Sequence, residues 1–225
     1  MNIQLNSDFR DYYDHWFASP SVSSQITFNR YSRTEMTKLE QFNLLIKAGL
    51  NTPIFGRVGD SHFFRIQQWL KAKVVLYVDD LAHRGEGKKL EKFSMAQAYK
   101  DCPFSVFVPT TGEPEKHSIS HRYLQIGDRA WWLKYEGKGS WLSNHAQEIE
   151  IELIGESCSL WEHKKRTKLF GQYPLFAIDF VTPIDSPETR LAVDFNSAPG
   201  IGGTGIEEIL SAKECYREIA LWLNR

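Results

Sequence analysis

The 225-residue chain is poor in the features that mark secreted, membrane-spanning or polyanion-coating proteins. Its three cysteines, Cys102, Cys158 and Cys215, are too few and too scattered for a disulfide framework or a paired-cysteine zinc site. No apolar run approaches the roughly 20 residues of a membrane span. The amino terminus, Met1-Asn2-Ile3-Gln4, lacks the charged-then-apolar layout of a secretory signal. Neither sign of charge prevails, with 27 Lys and Arg against 28 Asp and Glu. That balance argues against a histone-like binder and against nucleic acid as the partner, while leaving room for a local basic patch. There is no internal repeat, no low-complexity tract, and no Ser-His-Asp or Cys-His set that spacing can justify. These absences leave a soluble, cytoplasmic globular protein. Its length corresponds to about one and a half domains and is sufficient to bury roughly 70–75% of the unfolded surface.

What is present is organised in two parts. Residues 1–32 include the aromatic stretch Phe9-Arg10-Asp11-Tyr12-Tyr13-Asp14-His15-Trp16-Phe17 and the Ser-rich segment 19–24, too apolar for a disordered tail. They are read as a short lobe or lid on a main body of residues 33–225. A helix follows, with Ser32 and Glu35 as a capping box, Met36, Leu39, Phe42, Leu45 and Ile46 at helical spacing, Gly49 at the C′ position and Pro53 beyond it. Strands are predicted at 74–77, 105–108, 123–126, 130–135 and 148–153, with a helix at 93–99. Gly127-Asp128 and Gly137-Lys138-Gly139 are turn signals for antiparallel hairpins. Two more strands, 176–181 and 191–196, flank the polar loop 183–190. A Gly-rich turn (200–205) then leads to one amphipathic helix whose stripe is Ile206, Ile209, Leu210, Tyr216, Ile219, Ala220 and Leu223. Helices mixed with runs of antiparallel strands define an α+β class.

The stretch richest in chemistry is Ala177-Ile178-Asp179-Phe180-Val181 followed by Ala192-Val193-Asp194-Phe195-Asn196. Side chains alternate along a strand, so Asp194 and Asn196 share a face, away from Val193 and Phe195. If the strands pair, Asp179 joins them. Carboxylates beside apolar surface are costly to desolvate unless paired or bound to a cation, and two carboxylates with an amide oxygen suit a hard ion such as Mg2+. On spacing alone, the same residues could equally be the solvated face of an edge hairpin.

Asp179 followed by Asp194-x-Asn196-x-x-Pro199-Gly200 resembles the metal-binding end of ATP-grasp enzymes. Thr37-Lys38-Leu39, with Ala48-Gly49-Leu50-Asn51-Thr52-Pro53, resembles the entry helix of that superfamily, and Arg122 resembles the Arg ahead of its strand-ending turn. The resemblance runs from about Lys38 to the C-terminus. It implies an ATP-grasp α+β fold in which two antiparallel-rich sheets sandwich ATP, with Asp179, Asp194 and Asn196 holding Mg2+ on the phosphates. It implies Lys38 at the phosphates, and Arg122 and Asn144 near the transferred group. The segment Ser105-Val106-Phe107-Val108-Pro109 would supply the adenine pocket through Phe107 and Val108.

The same resemblance lends meaning to His83-Arg84-Gly85-Glu86-Gly87-Lys88-Lys89. Successive N–H groups in such a turn can cradle an anion, although a plain strand turn would read the same. Arg84, Gly85, Gly87 and Lys88 are the candidate phosphate contacts. The strand lysine usual in the family falls at Val78 here, so Arg84 or Lys88 would replace it, and the Arg of an Arg-x-Asn pattern falls at Leu142. The implied activity is ATP-dependent joining of a carboxylate to an amine through an acyl-phosphate, with ADP released. The substrate could be a peptide or protein terminus, since the amino-terminal part is small. The alternatives are a kinase of the same fold and a nucleotide-binding protein without turnover. The turn 202–205 is expected to leave room for a substrate carboxylate at the N-terminus of the last helix. His117 and His121, Trp131-Trp132, and Lys164-Lys165-Arg166 are read as structural or solvated.

Overall fold

Thr37 starts the first helix. Its hydroxyl accepts from the Glu40 N–H, while the Glu40 carboxylate accepts from the Thr37 N–H at 2.8 Å. This reciprocal cap opens helix α1 (Lys38–Lys47), five residues later than the Ser32/Glu35 box expected from the sequence. Residues 36 and 37 are not helical, and Ser32 and Glu35 lie outside the described residues. A computed structural model of the chain describes residues 36–65, 72–80, 87–156, 169–171, 173–197 and 199–223. The expected lobe at 1–32, Arg84, Gly85 and the basic run 164–166 therefore lie outside it. Phe42 and Leu45 of α1 are fully buried, Ile46 faces out, and Gly49 ends the helix at φ +76°, as its C′ position requires.

Two antiparallel sheets follow. The smaller has the order β1 (Phe55–Arg57), β4 (Pro103–Val106), β2 (Lys73–Tyr77), β3 (Lys88–Lys92). Helix α2 (Ser61–Arg65) and the single turn α3 (Phe93–Ala96) close its core, where the Phe63 ring stacks on Phe93 at 4.4 Å and meets Phe104 edge-on at 5.2 Å. The larger sheet has the order β7 (Glu148–Glu156), β6 (Arg129–Lys138), β5 (His117–Ile126), β8 (Leu175–Val181), β9 (Leu191–Asn196). Its core centres on Tyr123, Trp131, Phe170, Phe176 and Phe195, and α1 packs into the same cluster through Phe42 and Leu45.

The last helix is broken. A short turn α4 (Ile206–Ile209) and helix α5 (Ala212–Leu223) are separated at Ser211, which forms a second reciprocal cap with Glu214. Of the expected stripe, Ile206, Leu210 and Ile219 are buried and Ile209 is exposed. Cys215 is buried beside them, and the side chains of Tyr216, Ala220 and Leu223 are outside the description. No helix among the described residues is long and apolar enough to cross a membrane.

Candidate functional site

The segment from Phe107 to Lys116 crosses from β4 of the small sheet to β5 of the large one. Its course is fixed at both ends: the Phe107 N–H donates to the Lys73 carbonyl at 3.0 Å, and the Thr110 hydroxyl accepts from the Ile119 N–H at 2.9 Å. A cavity opens beneath it between the sheets. The small sheet contributes Val75, Tyr77, Lys88 and Ser105; the crossing segment contributes Phe107, Val108 and Thr110; the large sheet contributes Ser118, Ser120, Asp179, Val193 and Asp194. The fourth wall is the β6–β7 loop, with Trp141, Leu142, Ser143 and Asn144. That loop can lie down on β6 because residue 137 is glycine. A Cβ there would come within 2.7 Å of the Ser143 Cα and 2.8 Å of its carbonyl oxygen.

Strand register brings the charges together. Arg122 stands opposite Asp179 on β8, and Asp179 opposite Asp194 on β9. Arg122 grips Asp179 with both arms of its guanidinium, Nε to Oδ1 at 2.7 Å and Nη2 to Oδ2 at 2.9 Å, and lies 5.1 Å over the Tyr135 ring. Asp194 is ion-paired with the Lys38 ammonium, which also donates to Gln41 Oε1 at 2.8 Å, and Lys88 stands 4.0 Å away on the other side. The Lys38 N–H donates to Asp80 Oδ1, which seats an acid on the first turn of α1.

A bulge between Asp179 and Phe180 makes Val193 an extra residue, so Val193 and Asp194 both reach the cavity although they are neighbours in sequence. The alternation expected from the sequence, with Val193 turned away, does not hold.

These charges share one balance. Burial opposes ionisation of Asp194, but the Lys38 and Lys88 ammoniums outweigh it and hold the carboxyl well below the usual range. For Lys38, burial and then repulsion from Lys88 prevail over the attraction of Asp194, so its pKa falls. Burial also works against the charge on Arg122, yet Asp179 more than offsets it and the guanidinium stays protonated. Burial drives the Tyr77 phenol up; it is neutral and hydrogen-bonded to Ser105 Oγ at 2.9 Å.

Of the residues singled out in the sequence, Lys88, Phe107, Val108, Asn144, Asp179 and Asp194 line the cavity. Lys38 and Arg122 reach it only through their carboxylate partners, and Asn196 sits on β9 two residues beyond Asp194. Gly87 closes the β2–β3 turn at φ +70°, its carbonyl accepting from the Val78 N–H at 2.8 Å. Val78 itself points outward, 52% exposed; the cavity-facing place on β2 belongs to Tyr77, directly across the ladder from Lys88. At the turn before the last helix the Gly203 N–H is taken by the Glu207 carboxylate, while a Cβ at Gly203 or Gly205 would meet open space. The hydroxyl lining was missed, although Ser118-x-Ser120 on the face of Arg122 is a readable signal. His117 pairs with Glu136 at 2.8 Å and Trp131 is core, as expected.

Among the described residues no three His, Cys, Asp or Glu gather into a metal-holding group. The two opposed carboxylates offer only oxygen atoms, and Asn196 lies two residues further along β9. This fits Mg2+, which typically takes one or two carboxylates and completes its shell with phosphate oxygens and water.

Two antiparallel sheets enclosing such a cleft constitute the ATP-grasp fold, and this chain has it. It is similar to the ATP-grasp ligase PsnB complexed with minimal precursor, at 16% identity and a TM-score of 0.58 over 84% of this chain and 60% of that one. PsnB with a phosphomimetic variant of minimal precursor, Mg and ADP matches at 16% identity and 0.54, covering 84% and 59%. A Chryseobacterium gregarium RiPP-associated ATP-grasp ligase, in complex with ADP and a leader and core peptide, matches at 11% and 0.50, covering 83% and 59%. The chain thus spans about three fifths of the length of these structures. No family model matches the sequence, and no curated protein does.

Proposed function

We propose that the chain binds ATP with Mg2+ between its sheets and uses it to join a carboxylate to an amine, releasing ADP. The observation that carries this reading is the pair Asp179–Asp194, set side by side on one wall of the cavity by strand register with Arg122 behind Asp179, and with Lys88 facing the pair from the other sheet. Adenine would lie against the Phe107–Val108 backbone, and Lys88, with Lys38 behind Asp194, would meet the phosphates. Asp179, Asp194 and Asn196 would hold Mg2+. Bound there, the metal would neutralise phosphate charge and so ease transfer of the γ-phosphoryl group to the substrate carboxylate. The protein's own part is positioning and electrostatics. Arg122 aims the Asp179 carboxylate through its two-armed grip, and Asn144 would offer its amide from the β6–β7 loop wall. The leader and core peptide in the Chryseobacterium gregarium ligase complex supports a peptide or protein terminus as substrate.

The test is product analysis: ADP rather than AMP, and a hydroxamate when hydroxylamine replaces the amine. A phosphorylated alcohol would instead indicate the kinase of the same fold. Tyr77 in the cavity-facing place on β2 favours a second reading, nucleotide binding without turnover. Nucleotide retained unhydrolysed in the presence of a broad set of acids and amines would establish it. Asn196→Ala is expected to weaken Mg·ATP binding by about tenfold or more, a loss of roughly 1.4 kcal/mol, read by calorimetry.

A further inference from the structure

The acidic pair is already neutralised by the chain's own cations. Asp194 lies between two ammoniums, Lys38 from α1 and Lys88 from β3, while Asp179 is held in both carboxylate oxygens by Arg122. Lys38 is buried, with Gln41 Oε1 as its second acceptor and the Tyr77 ring 5.2 Å away. Even with Asp80, which caps the Lys38 N–H, the cluster holds as many positive as negative groups. A free dication entering it would meet no excess negative charge and would have to displace an ammonium from a poorly solvated carboxylate. A polyphosphate changes that balance, because its oxygens offer the lysines another partner and add several negative charges at the same spot.

We propose that Lys38 and Lys88 are built-in counter-ions that keep the Asp179–Asp194 pair closed to a free divalent cation and yield it only when a polyphosphate engages them. Metal and nucleotide then enter as one unit, and the two lysines set that specificity. The inference rests on the ATP reading above. By linkage, the factor by which nucleotide improves metal affinity equals the factor by which metal improves nucleotide affinity, commonly about 5–150-fold.

Manganese binding to the full chain without nucleotide, followed by the loss of the free-ion paramagnetic resonance signal, isolates the lysines from turnover. Lys38→Met keeps the aliphatic stem among Phe42 and Tyr77, and Lys88→Met changes a less buried partner, so one folded variant suffices. Either should bind Mn2+ on the order of tenfold more tightly than the parent chain, consistent with couplings of this kind. The gain should vanish when Asp194→Asn is added. Folded variants, checked by circular dichroism, that bind Mn2+ no better than the parent would overturn the proposal, as would a gain that survives Asp194→Asn. Equilibrium dialysis of Mg·ATP against the parent chain separates the two levels. If the nucleotide fails to bind, the ATP reading itself falls; if it binds and the lysine variants show no gain, only the counter-ion role falls.

Discussion

Lys38 and Asp194 illustrate how a residue can serve the fold and the site at once. Removing one member of a largely buried ion pair strands the other, typically at about 3–5 kcal/mol. Asp194→Asn should therefore destabilise the chain by about 3 kcal/mol in urea unfolding, even though the apolar face of β9 is untouched. The double variant Lys38→Met/Asp194→Asn should recover much of that loss. The pH dependence has a definite sign. The Asp194 carboxyl is depressed in the folded state, so its contribution is present above the unfolded value near 4 and is lost as pH falls through the folded value. Stability of the parent should drop on acidification below about pH 4 more steeply than that of the double variant. None of this pairing is visible in one dimension: Lys38 and Asp194 are 156 residues apart. The resemblance could single out both as candidate site residues without revealing that they hold each other.

At the scale of elements, the strands that carry the acidic row were legible because each is a strongly apolar run broken only at Asp179, Asp194 and Asn196. β3 was not, since Lys88-Lys89-Leu90-Glu91-Lys92 has too little apolar content to read as a strand; it is an edge strand paired to β2 on one side. The single long C-terminal helix was also misread, because Ser211 and Glu214 form a cap inside an otherwise continuous helical pattern. The β6–β7 loop gives a test at this scale. Gly137→Ala should push Ser143 and Ala146 off β6, costing about 1–3 kcal/mol of stability and weakening nucleotide binding together. Gly127→Ala, which collides with the Glu218 backbone of α5, should cost a similar amount but leave affinity unchanged, since it lies outside the cavity wall. Thermal unfolding and calorimetry on both variants separate the two effects.

For the whole molecule, the α+β class followed from helices mixed with hairpin signals, whereas two sheets with a cleft between them came only with the resemblance to ATP-grasp enzymes. That cleft depends on the crossing from β4 to β5 and on which faces the twist brings opposite each other, information that accumulates only in three dimensions. The two sheets keep separate aromatic centres, one around Phe63 and one around Phe176, and the cavity opens where they face each other. A ligand that bridges both sheets stabilises the folded chain by mass action, about 2.7 kcal/mol at a hundred times its Kd. Mg·ATP should raise the midpoint of thermal unfolding accordingly, and Mg2+ alone at the same concentration should leave it nearly unchanged.

The extra residue at Val193 bears on how the chain tolerates length changes. On either side of it the ladder is already regular, Asp179 facing Asp194 and Phe180 facing Ala192. Excising Val193 would therefore heal the strand instead of slipping it: the flanking partners keep their matches, and the only side chain lost is one that reaches the cavity. Excising Ile178 from the neighbouring strand would turn every later residue of β8 to the opposite face, burying Asp179 and exposing Phe180. Single-codon deletions at the two sites should thus part sharply in soluble yield, with the first leaving a folded protein whose cavity is reshaped by one missing isopropyl group.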